Sequence, residues 1–151
     1  MAEPTRGLST VRRRLQAWAL VATVRVVLWL VPYRVARRWF DRAPGPDAAV
    51  DVRRARGVAN EVRRASRRVP RASCFTQALA ARTWLARHGL ANELRIGVAR
   101  EPDGSPEAHA WIEVAGQVVL GDVPDLARFG RLPTPGGAAA ARSTPRPTPR
   151  P

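Results

Sequence analysis

The chain has 151 residues, 45% of them hydrophobic, which supports one compact domain with a core but not two independent domains. The formal net charge is +14, and all 26 basic residues are arginine. These arginines are spread along the chain with few aromatic side chains among them, so a specific nucleic-acid partner is not expected. We interpret most of them as solvated helix faces, with an acidic partner or substrate as the alternative. A single cysteine cannot form an internal disulfide, so a cytoplasmic location is expected.

Residues 15 to 31 form an apolar stretch that follows three arginines and superficially resembles a signal sequence or a membrane anchor. Arg25 lies inside the stretch, where a charge at the centre of a bilayer costs about 2.5 kcal/mol or more. The stretch is also shorter than the roughly 20 residues that a membrane span needs. We therefore predict a buried amphipathic helix that begins at Ser9 or Thr10 and ends before Pro32. Peripheral membrane contact is the alternative.

Residues 1 to 69 as a whole are predicted to form an arginine-rich helical segment. Two further apolar stripes at helical spacing follow the first helix, on either side of a Pro-Gly-Pro sequence. Trp18, Trp29 and Trp39 are accordingly interpreted as core residues. At the other end, residues 133 to 151 have the Pro- and Arg-rich composition of a disordered tail, so function is not expected to depend on their fold.

The only cysteine, Cys74, is predicted to lie in the first turn of a helix. Ser73 is suited to be its N-cap, the apolar pattern continues to His88, and Gly89 is the expected C-terminal stop. Unpaired amides and the helix dipole at this position favour a thiolate, and the same amides can stabilise a developing oxyanion. The alternative is that Cys74 is an inert, buried small residue.

Two strands and a hairpin are predicted after this helix. Residues 93 to 98 and 108 to 114 both alternate apolar and polar side chains, as strands with one buried face do. Ala115-Gly116 is typical of a two-residue turn, which leads into a third strand over residues 117 to 122. Alternation places His109, Trp111 and Glu113 on one face of the second strand.

The predicted hairpin register brings an imidazole and a carboxylate together. Across the two-residue turn, Ile112 is expected to face Val119, and His109 to face Asp122. Cross-strand Cβ atoms of such a pair lie about 4.5 to 5.5 Å apart, which is close enough for the carboxylate to fix the imidazole tautomer. A bulge or a slip by one residue would separate the two side chains.

Cys74, His109 and Asp122 are therefore the candidate catalytic residues, because a thiolate needs a base and the base needs an orienting acid. If Asp122 merely ends the strand, Glu113 or Asp125 is the substitute acid. No cofactor is expected. A metal site is disfavoured, since one cysteine and two histidines offer no CxxC, HxH or HExxH spacing.

An ordered set of sequences around these residues resembles the transglutaminase-like domain of lasso-peptide biosynthesis B proteins. The similarity covers about residues 70 to 125 and rests on CFTQALA (residues 74 to 80), WLARHGL (84 to 90), LRIGV (94 to 98) and HAWIE (109 to 113). It implies an α+β fold, in which a small papain-like catalytic core over residues 70 to 132 packs an antiparallel sheet on the cysteine-bearing helix.

The resemblance also implies an activity and partners. The family's leader peptidase cuts a ribosomally made precursor peptide between leader and core, after which a separate ATP-dependent cyclase closes a macrolactam ring. By this similarity Cys74 is the nucleophile, His109 the general base and then acid, and Asp122 the orienting acid. The winged-helix leader-recognition module of some members is not evident, so a separate recognition protein is expected. The alternatives are a transglutaminase-like acyl transferase or amidase, and a non-enzymatic basic adaptor that binds a membrane or a partner protein.

Overall fold

The computed structural model describes residues 5 to 32, 35, 36, 40 and 44 to 133. Within these residues the main elements are three helices followed by an antiparallel sheet of order β3-β2-β1-β4, which confirms the predicted α+β class. The predicted tail lies outside the described residues, apart from Pro133. The helices are α1 (Thr5–Leu30), α2 (Val52–Ser66) and α3 (Cys74–Arg87), and the strands are β1 (Glu93–Arg100), β2 (Pro106–Val114), β3 (Gln117–Leu120) and β4 (Gly130–Arg131).

Helix α1 buries one side and exposes the other. It begins at Thr5, earlier than predicted, and ends at Leu30, before Pro32, as predicted. Its buried side packs against α2 and α3 through Ala17, Leu20, Val21 and Val24. The interpretation of Trp18 and Trp29 as core residues is wrong, because they lie on the other side and are 44% and 75% exposed. Trp39 lies outside the described residues.

The described part of the chain contains no helix that is both long and apolar enough to cross a membrane. Arg25 interrupts the apolar sequence of α1, and its side chain is only half-buried. The Arg25 side chain, whose charge argues against a membrane anchor, is thus still partly accessible to solvent in the fold.

One apolar core fills the space between the helices and one face of the sheet. Helix α3 lies in the middle of it, with Leu79 and Leu85 fully buried, and it packs against α1, α2, β1 and β2. The sheet contributes the side chains that alternate toward α3, namely Ala110, Ile112, Val114 and Leu120. This packing positions the first turn of α3 against β2.

The opposite face of the sheet is covered by the segment that follows β3. Trp111 is 1% exposed and packs with Ala99 and Phe129, while Val118, Val123 and Leu126 lie at the margin of this second cluster. Strand β2 therefore buries both faces, with Ile112 toward the helices and Trp111 toward the segment after β3.

The β2–β3 hairpin has the predicted turn but not the predicted register. Ala115 and Gly116 have φ values of +49° and +73°, as a type I′ turn requires, and Val114 pairs with Gln117. Beyond this pair a β-bulge shifts the ladder, so Ile112 pairs with Leu120 and not with Val119. The bulge turns both Val119 and Leu120 toward the helix-side core.

The predicted pairing of His109 with Asp122 is consequently wrong. Strand β3 ends at Leu120, and Gly121 follows with a φ of +85°. A Cβ atom on Gly121 would lie 2.8 Å from the Trp111 Cβ and 2.9 Å from the Ala110 carbonyl oxygen. Only glycine allows the chain to pass this close to β2.

Replacing Gly121 with alanine should therefore destabilise the protein more than the same change at Gly116. Both residues have positive φ, which costs a side chain about 1 to 2 kcal/mol, but nothing lies within 4 Å of a Cβ at Gly116. Overlap with Trp111 should add about 1 to 3 kcal/mol to the loss for Gly121→Ala. Urea denaturation measures both free energies of unfolding, and equal losses would show that the close approach is not tight.

Candidate active site

Cys74 lies where the sequence predicts it, in the first turn of α3. Ser73 is the N-cap, and its Oγ accepts a hydrogen bond from the Thr76 backbone N–H at 3.2 Å. The Cys74 thiol is free and half-buried. Its Sγ lies 4.0 Å from the carbonyl oxygen of Ala108 in β2, so the packing of α3 on the sheet brings the thiol to the residue next to His109.

The ring of His109 is held by a backbone group. Its Nε2 lies 2.7 Å from the Gly121 carbonyl oxygen, and the ring stacks on Trp111 and packs against Phe129. A carbonyl oxygen can only accept, so Nε2 must carry the hydrogen. In the neutral ring Nδ1 is then the unprotonated nitrogen, which is the form that a general base requires.

The three candidate residues do not form a hydrogen-bonded triad: Cys74 and Asp122 are linked to His109 only through the chain neighbours Ala108 and Gly121 among the described residues. The His109 ring lies on the Trp111 face of the sheet, whereas α3 packs on the other face. Among the described residues, no hydrogen bond joins the imidazole to the Cys74 thiol or to Asp122, whose side chain is exposed. The assignment of these three residues as catalytic remains a prediction.

Comparison with known families identifies the class of the domain. A family profile of the Transglutaminase-like superfamily matches residues 17–134. The chain belongs to this superfamily. Its members typically have a cysteine-protease-like or acyltransferase fold, in agreement with the position of Cys74 on the third helix. Comparisons with curated proteins and with solved structures gave no significant match.

The sequence suggests Glu113 only as a substitute for Asp122, but in this transglutaminase-like domain its carboxylate is buried. Glu113 is 2% exposed. Its Oε1 accepts hydrogen bonds from Trp111 Nε1 at 2.9 Å and Arg131 Nη2 at 2.7 Å, and its Oε2 accepts one from Arg95 Nε at 3.1 Å. Both oxygens are thus occupied by structural partners that join β1, β2 and β4. The alternation of β2, which places Glu113 beside Trp111, was the available signal.

Asp125, the other substitute acid, belongs to an exposed cluster around Arg128. The Arg128 guanidinium pairs with Asp125 at 2.6 Å, with Glu101 at 3.1 Å and with Glu107. A hydrogen bond with the Glu101 carboxyl raises the pKa of Glu107 above its usual value, while the same bond and Arg128 lower the pKa of Glu101. Asp125 therefore already has a cationic partner other than His109.

Glu113→Gln should lower the free energy of unfolding by about 2 to 3 kcal/mol, because it removes the buried charge that two guanidinium groups share. Asp125→Asn is the matched control, since its carboxylate also pairs with an arginine but is exposed, and a surface pair contributes about 0 to 1 kcal/mol. Thermal or chemical denaturation measures both changes. Similar small losses would mean that Glu113 does not hold the three strands together.

Proposed function

We propose that this domain is a cysteine peptidase that removes the leader from a ribosomally synthesised precursor of a lasso peptide. The observation that carries the proposal is the placement of the chain's one thiol, at the N-terminus of α3 and against the strand that bears His109. Membership of the Transglutaminase-like superfamily and the sequence resemblance support the reaction class. The reaction is expected to take place in the cytoplasm.

In the proposed reaction the Cys74 thiolate attacks the carbonyl carbon of the scissile peptide bond. The backbone N–H groups of Thr76 and Gln77 donate to the side chain and the carbonyl of Ser73. The Cys74 N–H lies in the same first turn and is proposed to donate to the oxyanion that forms. Collapse of the tetrahedral intermediate breaks the C–N bond and leaves an acyl group on the sulfur as a thioester.

His109 moves the protons in this proposal. Its Nδ1 takes the thiol proton and later gives it to the leaving amine, and in the second step it takes a proton from the water that hydrolyses the thioester. Because the His109 ring lies on the Trp111 face of the sheet and α3 packs on the other face, this transfer requires the imidazole to move within hydrogen-bonding distance of the thiol when a substrate binds. The Gly121 carbonyl stabilises the imidazolium, because it already accepts from Nε2.

The proposed substrate is the junction between leader and core in the precursor peptide. The proposed partners are a separate leader-recognition protein and an ATP-dependent macrolactam cyclase that acts on the released core. A short precursor reading frame and a cyclase gene beside this gene would support the assignment. Leader removal is therefore best assayed by mass spectrometry of that precursor, incubated with this protein and the recognition protein.

Cys74→Ala should lower kcat/KM for precursor cleavage by about a thousandfold or more, since it removes the nucleophile. His109→Ala should be almost as damaging, because the thiol loses its base and the amine its proton donor. His88→Ala is the matched control, since the His88 ring bonds to the Trp84 carbonyl and packs on the Trp84 ring at the far end of α3 from Cys74. Cleavage by a folded Cys74→Ala variant would refute the peptidase assignment.

Asp122→Asn tests the third candidate residue. Its carboxylate is expected to favour the imidazolium through space, but the Gly121 carbonyl already fixes the ring tautomer. We therefore expect kcat/KM to fall about tenfold, well short of the loss of about 10⁴ seen when an orienting acid alone sets the tautomer. Asp125→Asn should retain activity, because that residue faces Arg128. The reverse result would place the acid at Asp125.

A further inference from the structure

A cavity of about 540 Å³ opens directly beside Cys74, on the helix side of the sheet. Ser73 and Phe75, the two neighbours of Cys74 in the chain, both line it. Cavities of this size accept a small molecule or a short segment of a peptide. Cys74 itself does not line the cavity, but a group bound there would lie within the turn of α3 that carries the thiol.

Two arginines line the cavity, Arg25 from α1 and Arg71 from the segment before α3. The Nε of Arg25 is buried and has no hydrogen-bond partner in the part of the chain that the structure describes. A buried donor without a partner is costly, and a ligand that supplies an acceptor removes that cost. No carboxylate of the described residues lines this cavity, so its charge is positive.

Arg71 is exposed at the cavity wall and has an unusual backbone conformation. Its φ is +58°, in the left-handed region that side chains other than glycine, asparagine and aspartate seldom adopt. Strain of this kind is common at sites that bind ligands. The conformation places a charged residue where a glycine would fit the backbone better.

The rest of the lining combines an apolar part, from Leu28, Phe75 and Ile96, with the hydroxyl groups of Ser73 and Thr76. Two cations over an apolar wall suit a carboxylate on a short hydrocarbon stem, because each guanidinium can donate to a carboxylate oxygen while the stem is removed from water. A phosphate would gain less from the apolar wall. The N-terminus of α3 adds a favourable dipole for an anion.

We propose that Arg25 and Arg71 bind a carboxylate of the peptide substrate next to the scissile bond. This inference deepens the proposed function, since it names the substrate feature that the site selects. The carboxylate comes from an acidic side chain or from a peptide C-terminus, and these two sources share the same recognition chemistry.

The single cysteine makes the local charge measurable without turnover. We consider the ratio of the rate at which iodoacetate alkylates Cys74 to the rate at which iodoacetamide does. This ratio should be higher than for a free thiol in solution, because the positively charged cavity attracts the anionic iodoacetate. Arg25→Gln and Arg71→Gly should each lower this rate ratio about fivefold, as expected when one nearby unit charge is removed. Arg71→Gly also suits the positive φ, so loss of folding is not expected from that change.

Two control variants separate charge from structure. Arg25→Lys should preserve the rate ratio, since it keeps the charge. Arg87→Gln removes an arginine from the same helix as Cys74, but about 20 Å away along the axis, and should leave the ratio unchanged. An unchanged ratio in both Arg25→Gln and Arg71→Gly would overturn the proposal.

Three dipeptide-like probes then identify the source of the carboxylate. N-acetyl-glutamic acid amide carries only a side-chain carboxylate, N-acetyl-glutamine only a terminal one, and N-acetyl-glutamine amide neither. The preferred probe should slow alkylation of Cys74 by iodoacetamide and shift the amide resonances of Ser73, Phe75 and Thr76, and both effects should be lost in Arg71→Gly. No difference among the three probes would refute carboxylate binding.

These measurements distinguish the two proposals. If Cys74→Ala still cleaves the precursor, the peptidase assignment fails, but the charge preference of the thiol and the probe binding are unaffected. If cleavage depends on Cys74, but substitutions of Arg25 and Arg71 change neither the iodoacetate-to-iodoacetamide rate ratio nor probe binding, the peptidase assignment stands and the carboxylate site is wrong.

Discussion

The burial of both faces of β2 is the constraint on which the rest of the fold depends. Ile112 and Trp111 are neighbours in the chain, and each is almost completely buried on its own side of the sheet. Because Ile112 needs α3 as its cover, the nucleophile is carried to β2. Because Trp111 needs cover on the other face, the chain after β3 must cross it, and this crossing brings the Gly121 carbonyl to His109. The two halves of the candidate site are consequences of two separate packing requirements.

Features of the fold that depend on a few adjacent residues can be predicted from the sequence. The Ser73 cap, the start of α3 at Cys74 and the Ala115-Gly116 turn depend on a few adjacent residues, and all three are confirmed. The bulge at Val119 is different. It is favoured because Val119 and Leu120 both find apolar contacts in the helix-side core, and no property of the hairpin sequence alone reveals that core.

The same distinction explains Glu113 and the tryptophans. Alternation correctly put Glu113 on the face of Trp111, but a glutamate on a strand face is ordinarily solvated. Its burial depends on Arg95 and Arg131, which come from β1 and β4, so the contact is visible only after the sheet has formed. For Trp29 the prediction fails in the opposite direction, since the residue is expected to be buried but is exposed. A large aromatic residue in an apolar helix suggests a core position, yet α1 is covered on one side only and Trp29 lies on the other.

The arginines, which the sequence presents as a nearly uniform excess of charge, have separate roles in the fold. Arg95 and Arg131 neutralise a buried carboxylate, and Arg128 gathers three exposed acids. Arg25 and Arg71 have no such partner among the described residues, although both line the cavity beside the nucleophile. A net charge describes the average field that draws in an anionic partner. Selectivity for one chemical group of that partner instead requires unpaired cations at a defined place. Within the described wall of the cavity near Cys74, those cations are Arg25 and Arg71.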